Sequence, residues 1–330
     1  MLKKHIEQLN PITNDQANNT ALSLVPKIRK IRSNIDNTNT NISDDILNLI
    51  HKEKLFRYVQ PKQWGGLELS FESWLDIPEI ISRGDCSTGW IVANMASHHR
   101  TLAVFSPEIQ EEIWSENPDA LIAAGNIYQQ GHAKKVDDGI ILTGLWNFCS
   151  GIQISDWCIF AFILDDNGQK DWHQCVLHKS EYEILNDWDT YGMKQTGSCS
   201  VRINELFVPE YKLQSFTVNK EGHSFKGATT NPNLMYQIPT PAIGGHGLAG
   251  CAIGGAQLCL DLLEEWIEKR STSTSNMKMS DIPTIHNRLG EIASRIDAAR
   301  LLLRNDCIEV EKLMNKDGEI STDNKLKYKR

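Results

Sequence analysis

An α+β fold, with helices on both sides of a central β segment, is what the sequence predicts. Three observations predict it. Apolar residues recur at helical spacing up to about residue 118, short alternating apolar runs between turn signals replace them over 119–217, and helical spacing then returns, beginning in a stretch rich in small residues. At 330 residues the chain is long enough for three domains: a helical one over 1–118, a β one over 119–217 and a second helical one over 218–330.

The first helix carries Leu22, Leu24, Val25, Ile28 and Ile31 on one face, with Pro26 interrupting it. Ser43 is placed to cap a second helix, with Asp44 and Asp45 in its first turn and Ile46, Leu47 and Ile50 on its apolar face. PKQWGG breaks the chain at Gly65-Gly66, and Phe71–Ile81 reads as a third helix that Arg83-Gly84-Asp85 ends. Ser87 or Thr88 is expected to cap a fourth helix running to about Val104. Ser106-Pro107-Glu108 then supplies a cap, a proline for the first helical position and an acid for the first turn.

From Asp119 the runs LIAAG, IILTG, WCIFAFIL, QCVLH and VRINELFVP read as strands, with DDNGQKD as a hairpin tip. Asp137 to Asp156 reads as a hairpin of its own: a turn at Asp137-Asp138-Gly139, a short strand closed by a bend at Thr143-Gly144, and a second strand Leu145-Trp146-Asn147-Phe148. It ends in Cys149-Ser150-Gly151, small residues that let a flat ligand or another backbone come close. The same pattern also describes an ordinary buried hairpin. Beyond a polar linker, Pro241–Arg270 reads as one long helix and Asp281–Met314 as the next, with Leu289, Ile292, Ile296, Ala299, Leu302 and Leu303 at helical spacing. Two helices and a charged tail do not close a bundle, so the second helix is expected to expose its stripe unless another subunit covers it.

With 40% hydrophobic and 23% charged residues the composition is globular, and a net charge of −8 argues against nucleic acid or an anionic membrane as a partner. No apolar run approaching 20 residues is read, and the N-terminus has no apolar core after its lysines, so neither a membrane span nor a secretory signal is expected. The eight cysteines form no CxxC and the ten histidines no HExxH, so no metal site is predicted and a reduced, cytoplasmic protein is expected.

Six blocks carry a resemblance: QPKQWGG (60–66), GDCSTGW (84–90), WNFCSG (146–151) with Asp156-Trp157, WDTYGMKQTGS (188–198), FVPE (207–210) and RIDAAR (295–300). In this order the chain resembles the acyl-CoA dehydrogenase fold. Within it, the residues more nearly resemble the oxygenase components of two-component flavin-dependent monooxygenases such as 4-hydroxyphenylacetate 3-hydroxylase. The resemblance implies reduced FMN or FAD supplied by a separate NAD(P)H-dependent flavin reductase. It also implies O2, a flavin hydroperoxide that hydroxylates a small aromatic substrate, and a homotetramer or homodimer. It implies that Ser150 lies beside the flavin ring and stabilises the peroxide, with Trp146, Phe148 and Gly151 around the ring. Thr196 and Ser198 are then expected to hold the flavin's polar edge or phosphate. His98 would orient the substrate's phenol or accept its proton, with His99 as the one-residue alternative, and Arg270 would reach a neighbouring subunit's flavin phosphate.

The family has glycine where Gln195 stands. Relatives continue through two further helices after RIDAAR, so the C-terminal bundle is expected to be incomplete. An acyl-CoA dehydrogenase is the rival within the fold. It needs a carboxylate base, and Gly244 stands at one of that family's two base positions, while the other lies beyond Arg330. A degenerate, non-catalytic fragment is the second rival.

Overall fold

The computed structural model describes residues 12–35, 38–166, 168–215, 225–238, 245–273 and 275–328. Five helices come first: α1 (Asn14–Ser33), α2 (Asp44–Lys52), α3 (Ser73–Ser82), α4 (Cys86–Leu102) and α5 (Pro107–Trp114). Eight strands follow: β1 (Ile122–Gly125), β2 (Gly131–Val136), β3 (Gly139–Trp146), β4 (Trp157–Asp166), β5 (Gln169–His178), β6 (Glu183–Ile184), β7 (Val201–Pro209) and β8 (Leu213–Ser215). The chain closes with α6 (His246–Glu268), α7 (Pro283–Asp317) and α8 (Thr322–Lys327). The expected α+β order is what the chain adopts.

Pro26 does not interrupt α1, which runs through it and buries Ala17, Ala21, Leu24 and Ile28. Leu22, expected on that face, is exposed. The fourth helix is capped not by Ser87 or Thr88 but by Asp85, whose carboxylate accepts from the backbone and hydroxyl of Thr88 at 2.7 and 2.8 Å. An acid at the cap also suits the positive end of the helix.

The sheet follows the order β6-β7-β3-β2-β4-β5-β8, with β1 parallel to β4 off that path. The hairpin expected over 137–156 is not there. Asp138, at φ +60°, turns β2 into β3, and β3 runs straight through Thr143-Gly144 to Trp146. What looked like a bend is a register shift against β7: Leu142 faces Leu206 and Gly144 faces Ile203, with Glu205 at φ +47° giving its amide to Thr143 Oγ1.

The sheet's main irregularity sits beside this strand. β1 and β2 lie end to end along one edge of β4, pairing with Trp157–Phe160 and Ile163–Asp165, and neither reaches Ala161. Trp146 fills the gap. Its Nε1–H donates to the Ala161 carbonyl at 2.7 Å, supplying the bond that the ladder lacks there. Gly125, Gly131 and Gly144 surround the side chain so tightly that a Cβ on any of them would fall 2.3–2.8 Å from one of its atoms.

α6 lies on α3 through its small residues. A Cβ at Gly250 would meet Leu75 O at 2.5 Å, and one at Gly254 would meet Glu79 O at 2.0 Å. By length and composition the 23-residue α6 also passes as a membrane-spanning helix, which corrects the expectation that no such run exists. The helix begins at His246; Pro241–Gly244, the expected start that includes the dehydrogenase base position, lies outside the described residues. α7 is tied to α3 by ion pairs: Arg300 to Glu79 at 2.8 Å and Arg304 to Asp76 at 3.2 Å. Of its predicted stripe Ile296 is buried, while Ile292 and Leu302 are exposed.

Candidate active site

α4 positions the site from one side. Its residues Trp90, Asn94 and His98 succeed one another at a spacing of four, and Ile91 and Met95 sit beside them, so one helix face meets the end of β3 and the start of β1. Gly151 is the point of closest approach. It stands at φ +72°, its amide donates to Thr196 O at 2.7 Å, and a Cβ there would lie 2.4 Å from Met95 Cε. The 188–198 turn closes the other side: Cys149 N donates to Cys199 O at 3.2 Å, and Asn41 bridges to Thr196.

At the centre is a line of hydroxyls. Trp90 Nε1–H donates to Ser150 Oγ at 3.0 Å, Ser150 Oγ lies 2.8 Å from Ser198 Oγ, and Ser198 Oγ lies 2.8 Å from Thr196 Oγ1. Thr196 Oγ1 then donates to the Met193 carbonyl at 2.9 Å. Ser150 is 9% exposed, whereas Thr196 and Ser198 are 2% and 5%. In this structure the Thr196 and Ser198 hydroxyls are engaged in the line that holds Ser150. Gln195, in the glycine position of the family pattern, is not among the residues with positive φ, so the turn does not need glycine there. Gly197, at φ +50°, carries that conformation instead.

Phe148 is the exposed aromatic of the site. It is held at φ +62°, a conformation costly for a large side chain, and the residue is 66% exposed, with Trp188 edge-on at 6.3 Å. Trp188 is itself fixed by its Nε1–H on Lys194 O at 2.9 Å. An aromatic face turned outward next to a hydroxyl line fits a flat heteroaromatic ring. Trp146 does not share that role. It is 0% exposed in the gap of the sheet, so the expectation that it packs on the ring is corrected: it is the wall's foundation.

The histidine doublet separates cleanly. His99 Nδ1 accepts from Trp114 Nε1 at 3.2 Å and its ring stacks on Trp114, inside the helical core and 0% exposed. His98 turns the other way and donates from Nδ1 to Ile122 O on β1 at 2.6 Å. A carbonyl only accepts, so the proton is on Nδ1 and Nε2 keeps its lone pair. Burial pushes the His98 imidazole down to about 4 despite that carbonyl, and burial together with Arg57 and His98 pushes His99 to about 3. At neutral pH His98 is thus an uncharged hydrogen-bond acceptor. It orients a hydroxyl better than it removes a proton.

Arg270 does not enter this cluster within one chain. It is exposed beyond the end of α6, its guanidinium 4.6 Å from the Trp266 ring. A separate cavity of about 500 Å3, lined among others by Asp44, His51, Asp119 and Asp156, shares no lining residue with the hydroxyl line. Among the described residues no group of three His, Cys, Asp or Glu side chains could hold a metal. Trp90 is the site residue that sequence reasoning left without a role, although it closes the GDCSTGW block. Its signal was the four-residue step to Asn94 and His98.

Comparison with known proteins agrees with this architecture. Residues 246–330 match the acyl-CoA dehydrogenase C-terminal domain family. The chain is 26% identical over 281 residues to the oxygenase component of p-hydroxyphenylacetate 3-hydroxylase from Acinetobacter baumannii, covering 85% of this chain and 66% of that protein. It is 28% identical over 285 residues to the oxygenase component of the FADH2-dependent resorcinol hydroxylase from Rhizobium sp., covering 83% and 69%. The chain thus spans about two thirds of the length of these relatives. The crystal structure of 3-HSA hydroxylase from Rhodococcus sp. RHA1 superposes with a TM-score of 0.82 at 25% identity, over 95% of this chain and 79% of that one. In sequence and in fold the chain is thus similar to the oxygenase components of flavin-dependent monooxygenases, and its C-terminal part to the acyl-CoA dehydrogenase C-terminal domain.

Proposed function

We propose that the chain is the oxygenase component of a two-component monooxygenase, using reduced flavin and O2 to hydroxylate a small aromatic substrate. The observation that carries this reading is the Ser150 hydroxyl, fixed by Trp90 and Ser198, beside the outward-held ring of Phe148. Reduced flavin supplies the electrons and the site of oxygen activation when bound. The chain's own residues do the rest. Phe148 and the turn at Ser150-Gly151 hold the ring, and Ser150 offers it one fixed polar contact. His98 Nε2 accepts a hydrogen bond from the substrate's hydroxyl. The close packing of Gly151 on Met95 keeps water from the back of the wall.

Assembly belongs to the same proposal. α6 and α7 leave Leu262, Leu263, Trp266, Leu301 and Leu302 exposed, an apolar surface that suits contact with further copies of the chain as a homodimer or homotetramer. Arg270, exposed beside Trp266 at the end of α6, is the residue this reading assigns to a neighbour's flavin phosphate. A separate NAD(P)H-dependent flavin reductase is the implied partner, and FMN and FAD are both candidates.

The test is anaerobic binding of reduced FMN and FAD, followed by mixing with labelled O2 and a panel of phenols. One labelled oxygen in the product is the expected result. Binding with hydrogen peroxide as the sole product would leave a flavoprotein without oxygenase function, and reduction of bound oxidised flavin by an acyl-CoA would identify a dehydrogenase instead.

A further inference from the structure

The hydroxyl line has a direction, and the direction follows from its far end. Met193 O can only accept, so Thr196 commits its one proton there. Ser198 must then donate to Thr196, and Ser150 must donate to Ser198. Trp90 Nε1–H, which can only donate, supplies Ser150 from the other end. Every hydroxyl proton in the line points away from Trp90. Ser150 is left with no proton to give and one lone pair to offer.

We infer that this polarity makes Ser150 an acceptor toward its ligand and so selects the redox state of the flavin, with Ser198 and Thr196 as positioning residues that hold its proton away. The inference rests on the flavin reading above. Reduced flavin carries a proton on N5 and donates from it; oxidised flavin has a lone pair there and needs a donor. An acceptor-only Ser150 matches the first and opposes the second. For Ser150 to serve the oxidised ring, its O–H must leave Ser198, and one buried hydroxyl–hydroxyl bond is lost. A net hydrogen bond between neutral groups corresponds to about five- to tenfold in affinity. The line thereby favours uptake of the reduced cofactor and release of the oxidised one.

The experiment is anaerobic titration of the full chain with reduced and with oxidised FMN and FAD, for the unmodified protein and for Ser198→Ala, Thr196→Val and Ser150→Ala. Ser198→Ala frees the Ser150 proton, so oxidised flavin binds more tightly and the preference for reduced flavin falls about five- to tenfold. Thr196→Val lets Ser198 turn its proton toward Ser150 and lowers the preference in the same direction; it is the second variant should Ser198→Ala not fold. In Ser150→Ala the preference falls too, and adding Ser198→Ala changes it no further. In the flavin-free protein, the Trp90 indole N–H resonance should shift in both Ser150→Ala and Ser198→Ala. Flavin binding with an unchanged preference in Ser198→Ala and Thr196→Val would overturn the redox selection while leaving the flavin reading intact. If the unmodified protein binds neither redox state, the flavin reading itself fails.

Discussion

The buried histidine pair makes the protein acid-labile in a window that has little to do with carboxylates. His98 and His99 stay neutral down to about 4 and about 3, whereas the unfolded chain takes up a proton at the ordinary 6.5. Between those values the unfolded state binds more protons, so stability falls as pH drops from about 6.5 and levels off only below the folded values. From pH 7 to pH 5 each histidine costs about 2 kcal/mol, and the pair about 4 kcal/mol, a large share of a typical folding stability.

Asp76 and Glu311, both raised by burial, work in the opposite direction at lower pH, and His173, lowered by burial, works in the same one. All three are common to parent and variant, and so cancel in a difference. Urea unfolding of the parent and of His98→Gln at pH 7, 6 and 5 is the assay. The variant should lose about half of the pH-dependent destabilisation, with an unchanged denaturant slope. A His98→Gln protein that weakens from pH 7 to 5 as much as its parent would refute the neutral, Nδ1-protonated imidazole, and with it the acceptor role given to Nε2.

Replacing Ser150 by alanine should lower hydroxylated product per reduced flavin consumed by tenfold or more, with hydrogen peroxide making up the balance; unchanged coupling would remove Ser150 from the chemistry. Phe148→Gly relieves the positive φ and should stabilise the fold by up to about 1 kcal/mol while weakening flavin binding, a pair of opposite shifts read by urea melts and titration. Gly151→Ala should destabilise by about 2–3 kcal/mol, because it meets both the backbone constraint and Met95. Arg270→Ala should weaken flavin binding without changing monomer stability, and equal affinity would return Arg270 to its contact with Trp266.

The helical regions were legible in the sequence because their signals are local: caps, prolines and a 3.6-residue period. Even there, Asp85 took the cap that serine and threonine seemed to offer, since its neighbour Thr88 could be bonded twice by one carboxylate. The β segment was legible as strands but not in its pairing. Thr143-Gly144 carries a turn's composition, yet the shift it makes against Glu205 depends on β7, some sixty residues away. Trp146 was misjudged for the same reason: a tryptophan next to a site motif reads as a ligand wall until the gap between β1 and β2 shows what the ring fills. Ser150 and His98 were singled out through the resemblance alone, as expectations. Their states were not, because a proton's position on a hydroxyl or an imidazole depends on partners drawn from α4, β1 and the 188–198 turn.

Trp146 also limits how this site can be remodelled. The ring is enclosed by three glycines and pinned to Ala161, so neither a larger nor a smaller side chain can replace it without reopening the sheet. A library seeking new substrates would lose most of its members there. Diversity is better placed on the opposite bank, at Asn94 of α4, which lies between Trp90 and His98 on the face that meets the site and leaves its foundation alone.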